Sequence, residues 1–557
     1  MLPRVEDAGG ANRRRLARSL AGALLAVLVA LLLRAPIAAI PFERDEGVYA
    51  YVGWRWLEGE WPYRDVFDQK PPAIFAAYAL LVATLGASPE AIHWGAQVWL
   101  CAAQLALFGL GSAWLGPGLA TAAALLFALI TSSPGFLGNA ANVEAFALLP
   151  LVAGAWLARR GATRASRGSA ALAGAAGAIA LLFKPVALPL VLFSLLLLVV
   201  GAPATARRRI GLAAWFCAGA TAGTLPALLA LASSGALELF YESNVRFNLA
   251  YGSAISPRDY ARYFWLGIQA SLPTLGPVYL AATLSGVGVL SDAPGRGVRG
   301  WLWGWLAAAL LAAMAGGYFR QHSFLFAAPA LALLAAVGCA DLLRLARLPA
   351  WLRQHGAWIA ALAMIAFAVL AAPWYYRPGS PDTKARALYG TNPFADAPEL
   401  ARFLAQRSDP EDRLFVFGSE PELHVYAKRR NASRYLLAYH YLMGDPEDAR
   451  RRQREVLDSL RTEPPHHVVL VLHPFSLLES NDTPRDLERG LAALLREQYR
   501  PVASMQPRAE GPSPLETRET QLAPWRDAAA LERGERDGSV VVYERWAVTG
   551  SNRRPSD

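Results

Sequence analysis

Phe42-Glu43-Arg44-Asp45-Glu46-Gly47-Val48-Tyr49 opens a polar stretch that closes on Tyr63-Arg64-Asp65-Val66-Phe67-Asp68-Gln69-Lys70-Pro71-Pro72. The apolar run Ala21–Leu33 precedes it and another, Ala73–Leu85, follows. Its carboxylates and its lysine are therefore expected beside a membrane surface. Tyr49, Tyr51, Trp54 and Trp56 crowd the first part, which suits a helix lying in the headgroup layer. A plain amphipathic anchor explains these aromatics but leaves Asp45 and Glu46 without a reason. Lys70 sets a cation just before Pro71-Pro72, where an interfacial amine binds a lipid phosphate or snorkels to the headgroups.

The rest of the chain supports a membrane setting. Of its 557 residues 54% are hydrophobic and 18% charged, against about a quarter charged in a soluble protein. The apolar residues come in blocks such as Leu119–Ile130 and Val186–Val200. Cys101, Cys217 and Cys339 all fall inside apolar runs and form neither a disulfide framework nor a metal-spaced cluster. The net charge of +10 comes from short arginine clusters between apolar runs, as at Arg13–Arg15, Arg159–Arg160 and Arg207–Arg209. That is the positive-inside pattern of a polytopic membrane protein and argues against a nucleic-acid partner. Only four lysines occur, Lys70, Lys184, Lys384 and Lys428. The first apolar run shows no convincing cleavage site and is read as a retained helix.

Topology follows from keeping the arginines on one side. With the N-terminus inside, Ala73–Leu85 must lie along the outer interface, because a crossing there would turn the clusters at Arg159–Arg167 and Arg207–Arg209 outward. Spans are then expected near Ala91–Leu115, Leu119–Thr131, Val143–Leu157, Ser169–Phe183, Pro185–Val200, Ile210–Leu231, Phe264–Leu290, Trp301–Gly317, Phe324–Leu343 and Ala357–Ala372. Arg296, Arg299, Arg344, Arg347 and Arg353 join the inside loops. With the first helix this makes about eleven crossings and an outer C-terminus. From about Tyr375 charge rises and short strand patterns appear at Leu414–Phe417, Val468–Leu472 and Val540–Tyr543. They alternate with helical stretches at Pro398–Gln406, Pro421–Lys428 and Glu447–Arg461. The expected architecture is an all-α polytopic membrane domain over residues 1–375, then a small α/β periplasmic domain over residues 376–557. The latter shows no internal repeat and no Gly-rich phosphate loop.

D-E-x-x-Y after the first helix, then P-Y-x-D-x-F-D-x-K-P-P, resembles the GT-C glycosyltransferases of the protein-mannosyltransferase and aminoarabinose-transferase kind, glycosyltransferase family 39 in character. Two further segments match in order. Asn139-Ala-Ala-Asn142-Val-Glu144 stands where that family carries a second acidic residue. Tyr318-Phe-Arg320-Gln-His322-Ser-Phe-Leu-Phe-Ala-Ala-Pro329 is similar to its R-x-x-H-Y…P segment, with the histidine one place early and Ser323 where the tyrosine would be. The resemblance covers about residues 15–375. It implies the GT-C fold with outer-face juxtamembrane helices, a polyprenyl-phosphate sugar donor and a single-displacement, inverting transfer. The acceptor it implies is an envelope lipid, glycan or protein at the periplasmic face of a bacterial inner membrane.

By position the resemblance implies that Asp45 is the general base, aided by Arg44, with Glu46 and Glu144 supporting it or placing the acceptor. Lys70, Arg320 and His322 would bind the leaving polyprenyl phosphate. Tyr49, Tyr63, Asp68 and Asn142 lie in the matched motifs and are carried over as substrate-binding positions. The resemblance implies no cofactor, and a divalent cation is left open. Gln69 departs from the aminoarabinose transferases, which have an acidic residue there, so a neutral hexose or pentose is expected rather than an amino sugar.

Other residues divide evenly between readings. Lys184-Pro185 is a further phosphate contact or a kink with a snorkelling lysine. Tyr241–Asn248 mixes amides, charge and aromatics, as a sugar-binding or simply packed polar loop does. His466, His467 and His473 flank a strand with no cysteine or carboxylate at metal-ligand spacing, and are read as structural. The rival from another class is a transporter or flippase of lipid-linked sugars. A transporter is expected to show charged residues mid-membrane and internal repeats, and the chain shows neither.

Overall fold

The computed structural model describes residues 5–203, 205–249, 256–290, 296–315, 317–345, 349–479, 483–517 and 528–546. Arg347 of the expected inside loops and residues 250–255 lie outside the described residues. The chain forms two compact units that interleave along the sequence. One comprises Met1–Ile40, Lys70–Leu237 and Gly252–Gly379, the other Pro41–Gln69, Glu238–Tyr251 and Ser380–Asp557.

The first unit is helical. It contains α1 (Val5–Arg34), α3 (Pro72–Leu85), α4 (Pro89–Leu115), α5 (Pro117–Thr131), α6 (Val143–Arg164), α7 (Arg167–Phe183), α8 (Leu188–Val200) and α9 (Ala206–Ser233). It also contains helices over Pro257–Leu290, Arg296–Met314, Ala328–Leu345 and Ala350–Ala371. Proline opens α3, α4 and α5 at a position where its missing N–H costs nothing. The α4–α5 corner turns on Gly116, whose φ of 86° excludes most side chains. Each expected span overlaps a helix. Among the described residues, six segments are long and apolar enough to cross a membrane: Leu16–Ile37, Pro89–Leu115, Ala206–Ser233, Gly297–Met314, Gln321–Arg344 and Gln354–Ala371. Shorter apolar helices, including Pro72–Leu85 and Pro117–Thr131, accompany them.

The abundant glycine and alanine bring these helices together. A Cβ at Gly174 of α7 would sit 1.9 Å from the Phe216 carbonyl oxygen of α9, and one at Gly219 of α9 would sit 1.8 Å from that of Ala171. Gly338 packs equally close on Ala281. Such small-residue contacts let backbones approach where lipid offers no hydrophobic drive between helices. The outward stripe of α1, Leu16, Leu20, Leu24, Leu28 and Leu32, is exposed at a four-residue spacing, as a lipid-facing surface requires.

The second unit holds α2 (Arg44–Leu57) and a mixed sheet of β1 (Arg413–Phe417), β2 (Arg430–Asn431), β3 (His467–Val471), β4 (Tyr499–Met505), β5 (Leu515–Thr517) and β6 (Val540–Arg545). The strand order is β2-β1-β3-β6-β4-β5. β1 runs parallel to β2 and β3, whereas β6 is antiparallel to β3 and β4. Leu414, Val416, Val469, Val471, Val540 and Val542 share one face, packed on Leu400, Leu404 and Leu423. The strand patterns at 414–417, 468–472 and 540–543 match β1, β3 and β6.

A buried carboxylate hub and an acidic helix start

In the first unit, Glu144 is the hub of a polar cluster inside an apolar helical body. It occupies the first turn of α6, where unpaired backbone N–H groups favour a carboxylate, and is 1% exposed. Lys184, at the break between α7 and the 3-10 turn Pro185–Ala187, forms an ion pair with Glu144 Oε1. Pro185 forces that break by disfavouring helix at the residue before it, so the lysine leaves the helix side-on. His322 Nε2 lies 3.8 Å from the same oxygen, and Ser323 Oγ donates to it at 3.4 Å. Both residues belong to the 3-10 segment Gln321–Ala327. Asn142, the N-cap of α6, donates from Nδ2 to His322 Nδ1 at 3.3 Å. That bond leaves Nε2 to carry the imidazole proton facing Glu144.

The loop leading into α6 is clamped from several sides. Arg34, the last residue of α1 and 1% exposed, donates from Nε to Gln97 Oε1 at 3.0 Å and from Nη1 to the Asn139 carbonyl at 2.8 Å. Tyr78 Oη donates to the Ala141 carbonyl at 2.9 Å, and Tyr376 Oη to that of Ser132 at 3.3 Å. Ser133 and Thr274 exchange a hydroxyl bond of 2.9 Å. Arg34 and Ser323 are site-building residues that the motif reading missed. Arg320 is exposed and stacks its guanidinium over Tyr318 at 5.6 Å, and Lys70 is half-buried immediately before α3.

In the second unit, Asp45 is partly exposed in the first turn of α2. Its neighbours have structural work. Glu46 is fully buried and accepts the Glu43 backbone N–H at 3.3 Å, closing a capping box. Arg44 donates to the Ser419 carbonyl at 2.7 Å and pairs with Glu420 at 3.5 Å. Gly47 allows α2 to lie against Glu422, since a Cβ there would meet the Glu422 amide at 2.6 Å. Burial, reinforced by Asp45 and Glu46, holds Glu43 well above the usual carboxylate range. Burial and the charge of Glu420 do the same to Glu422. Neither oxygen of Glu422 has a hydrogen-bond partner among the described residues.

Tyr49, Tyr63 and Asp68 are also buried in this unit. Tyr63 adopts φ 71°, an outlier for a bulky side chain, and its ring meets Phe240 edge-on at 5.2 Å. Asp68 Oδ2 lies 4.0 Å from His440 Nε2. Asn248, from the loop expected to suit sugar, donates to the Gln69 carbonyl at 2.9 Å, and Glu242 binds Arg451 at 2.7 Å. A cleft of about 960 Å³ is lined by Tyr51 of α2 and by Arg413, Arg430, Arg434, Glu455 and Asp458.

No protein-family model and no curated protein matches the chain. Solved structures do. ArnT from Cupriavidus metallidurans in the apo state aligns with a TM-score of 0.56 at 14% identity, covering 96% of this chain and 98% of that one. The same protein bound to undecaprenyl phosphate gives 0.54 at 15%, covering 97% and 99%. The archaeal oligosaccharyltransferase AglB from Archaeoglobus fulgidus aligns at 0.47 and 12%, over 91% and 75%. The chain is a membrane protein with the fold of ArnT, the GT-C fold expected from its first polar loop.

Proposed function

We propose that this chain is an integral-membrane glycosyltransferase. It moves a sugar from a polyprenyl phosphate to an envelope acceptor at the periplasmic face of a bacterial inner membrane, with its N-terminus inside. The observation that carries the reading is the Glu144 hub. A fully buried carboxylate inside an apolar helical body, with a lysine and a histidine converging on one of its oxygens, is costly unless it serves a site. Together these side chains form a pre-set field for a departing phosphate. The ArnT neighbour was solved with undecaprenyl phosphate bound, which fits a donor of that class.

In the proposed reaction Asp45 removes the proton from the acceptor hydroxyl as its oxygen attacks the anomeric carbon from the face opposite the phosphate. The carbon–oxygen bond to the phosphate breaks, its electron pair passes to the phosphate oxygen, and the configuration inverts. Lys70 and Arg320 receive the leaving polyprenyl phosphate, while Glu144 holds Lys184 and His322 in place to share its charge. Gln69 favours a neutral hexose or pentose.

The test is transfer by the purified full chain from undecaprenyl-phosphate-linked sugars, compared with Asp45→Asn. A fall of about 10²–10⁴-fold with normal expression is expected. Unchanged transfer would remove Asp45 from its role. Mass spectrometry of envelope glycans from a deletion strain should lose one residue from one glycan. Movement of the lipid-linked sugar across the membrane without transfer would instead favour a flippase.

A further inference from the structure

The antiparallel pairing of β3 with β6 sets His467 directly opposite Glu544. Residues opposed in this way present their side chains on the same face. His466, just ahead of β3 and just after Pro464-Pro465, adds its ring 4.6 Å from that of His467. As a result, the Nε2 atoms of both histidines lie 3.9 Å from Glu544 Oε1, and the three donor atoms lie within 4.8 Å of one another. A tetrahedral ion bound at about 2.0–2.1 Å needs donors roughly 3.3–3.4 Å apart, so each histidine–carboxylate gap closes by about half an ångström and the histidine–histidine gap by at most about 1.5 Å.

The surroundings suit a ligand set. Neither Nε2 has a hydrogen-bond partner among the described residues, although both atoms are shielded from solvent. Buried imidazole nitrogens without partners are costly unless something binds them. Asp412 Oδ2 lies 3.5 Å from His466 Nδ1, the carboxylate–imidazole contact that orients ligating histidines. Arg500 binds Glu544 Oε2 at 2.9 Å and leaves Oε1 turned toward the imidazoles.

We propose that His466, His467 and Glu544 form a binding site for one divalent ion of the zinc class. Two neutral imidazoles and one carboxylate are borderline donors suited to that class rather than to calcium or magnesium. The ion clasps the start of β3 to the end of β6.

The test uses tag-free full chain in detergent, stripped with a chelator and titrated with Zn²⁺ against a chromophoric competitor. One equivalent should bind, and Co²⁺ should give the intense visible absorption of a tetrahedral site. His466→Ala and Glu544→Gln should each weaken binding at least tenfold, and Asp412→Asn about tenfold. His466 is partly exposed, so its variant should fold, and equal melting temperatures of metal-free variant and metal-free parent establish this. Zn²⁺ should raise the melting temperature of the parent but not of these variants. Less than a tenth of an equivalent bound, or unchanged affinity in both His466→Ala and Glu544→Gln, overturns the proposal.

Discussion

The guanidinium of Arg34 donates to the carbonyl of Asn139 at 2.8 Å, tying the end of α1 to the loop that delivers Asn142 and Glu144. Arg34→Ala leaves the Gln97 oxygen and this carbonyl without their charged donor. The loss should be about 2–4 kcal/mol, from roughly 1.5–3 for each bond to a charged group with partial relaxation. Thermal unfolding of the full chain in detergent checks it. Arg34→Lys should recover part of the loss, because an ammonium reaches one acceptor but not both.

Glu144 and Lys184 should behave as one unit. Glu144→Gln and Lys184→Met are each expected to slow transfer by about 10²–10³-fold, the usual cost of losing one charge-stabilising group. The double variant should be little worse than either single one. Additive losses would show that the two residues act separately.

The buried carboxyl of Glu422 gives a pH signature. Its folded-state pKa is raised, chiefly by burial and then by Glu420. Between the unfolded value, about 4.3, and the folded one, the folded chain holds a proton that the unfolded chain has released, so stability falls as pH rises through that window. Glu422→Gln removes the proton linkage. The variant's melting temperature should exceed the parent's by more at pH 7.5 than at pH 5, with the gap growing steadily between them. A gap independent of pH would contradict the raised pKa.

Gly174 tests the helix packing. A valine there would drive its Cβ into the Phe216 carbonyl, at 1.9 Å, with rigid backbone on both sides. Gly174→Val should abolish monodisperse elution of the detergent-solubilised protein. Gly168→Ala, at a position open to space, should leave it unchanged.

What was legible in the sequence follows from where the signal is local. Apolar runs and prolines announce α3, α4 and α5, and β-branched runs announce β1, β3 and β6. β4 escaped notice because Pro501 and the register shift between Pro501 and Ala503 break its alternation. β2, at two residues, has no period to detect. The order of three short motifs indicated the fold. Long-range pairings were hidden: Arg34 with Asn139, Glu422 beside Gly47, and Glu544 opposite His467. Each needs a partner that only the folded chain supplies.

The interleaving of the two units has a consequence for biosynthesis. The helix that carries Asp45 finds its packing partners, Ser419, Glu420 and Glu422, in chain made several hundred residues later. Tyr51 likewise waits for the Asn431 amide, which its hydroxyl accepts at 2.9 Å. Ribosomes therefore emit the proposed base long before anything can fix its position, and a transcript cut short after the last membrane helix would yield an inserted but unarmed protein. Expressing residues 380–557 alone would strand the opposite half of the same contacts.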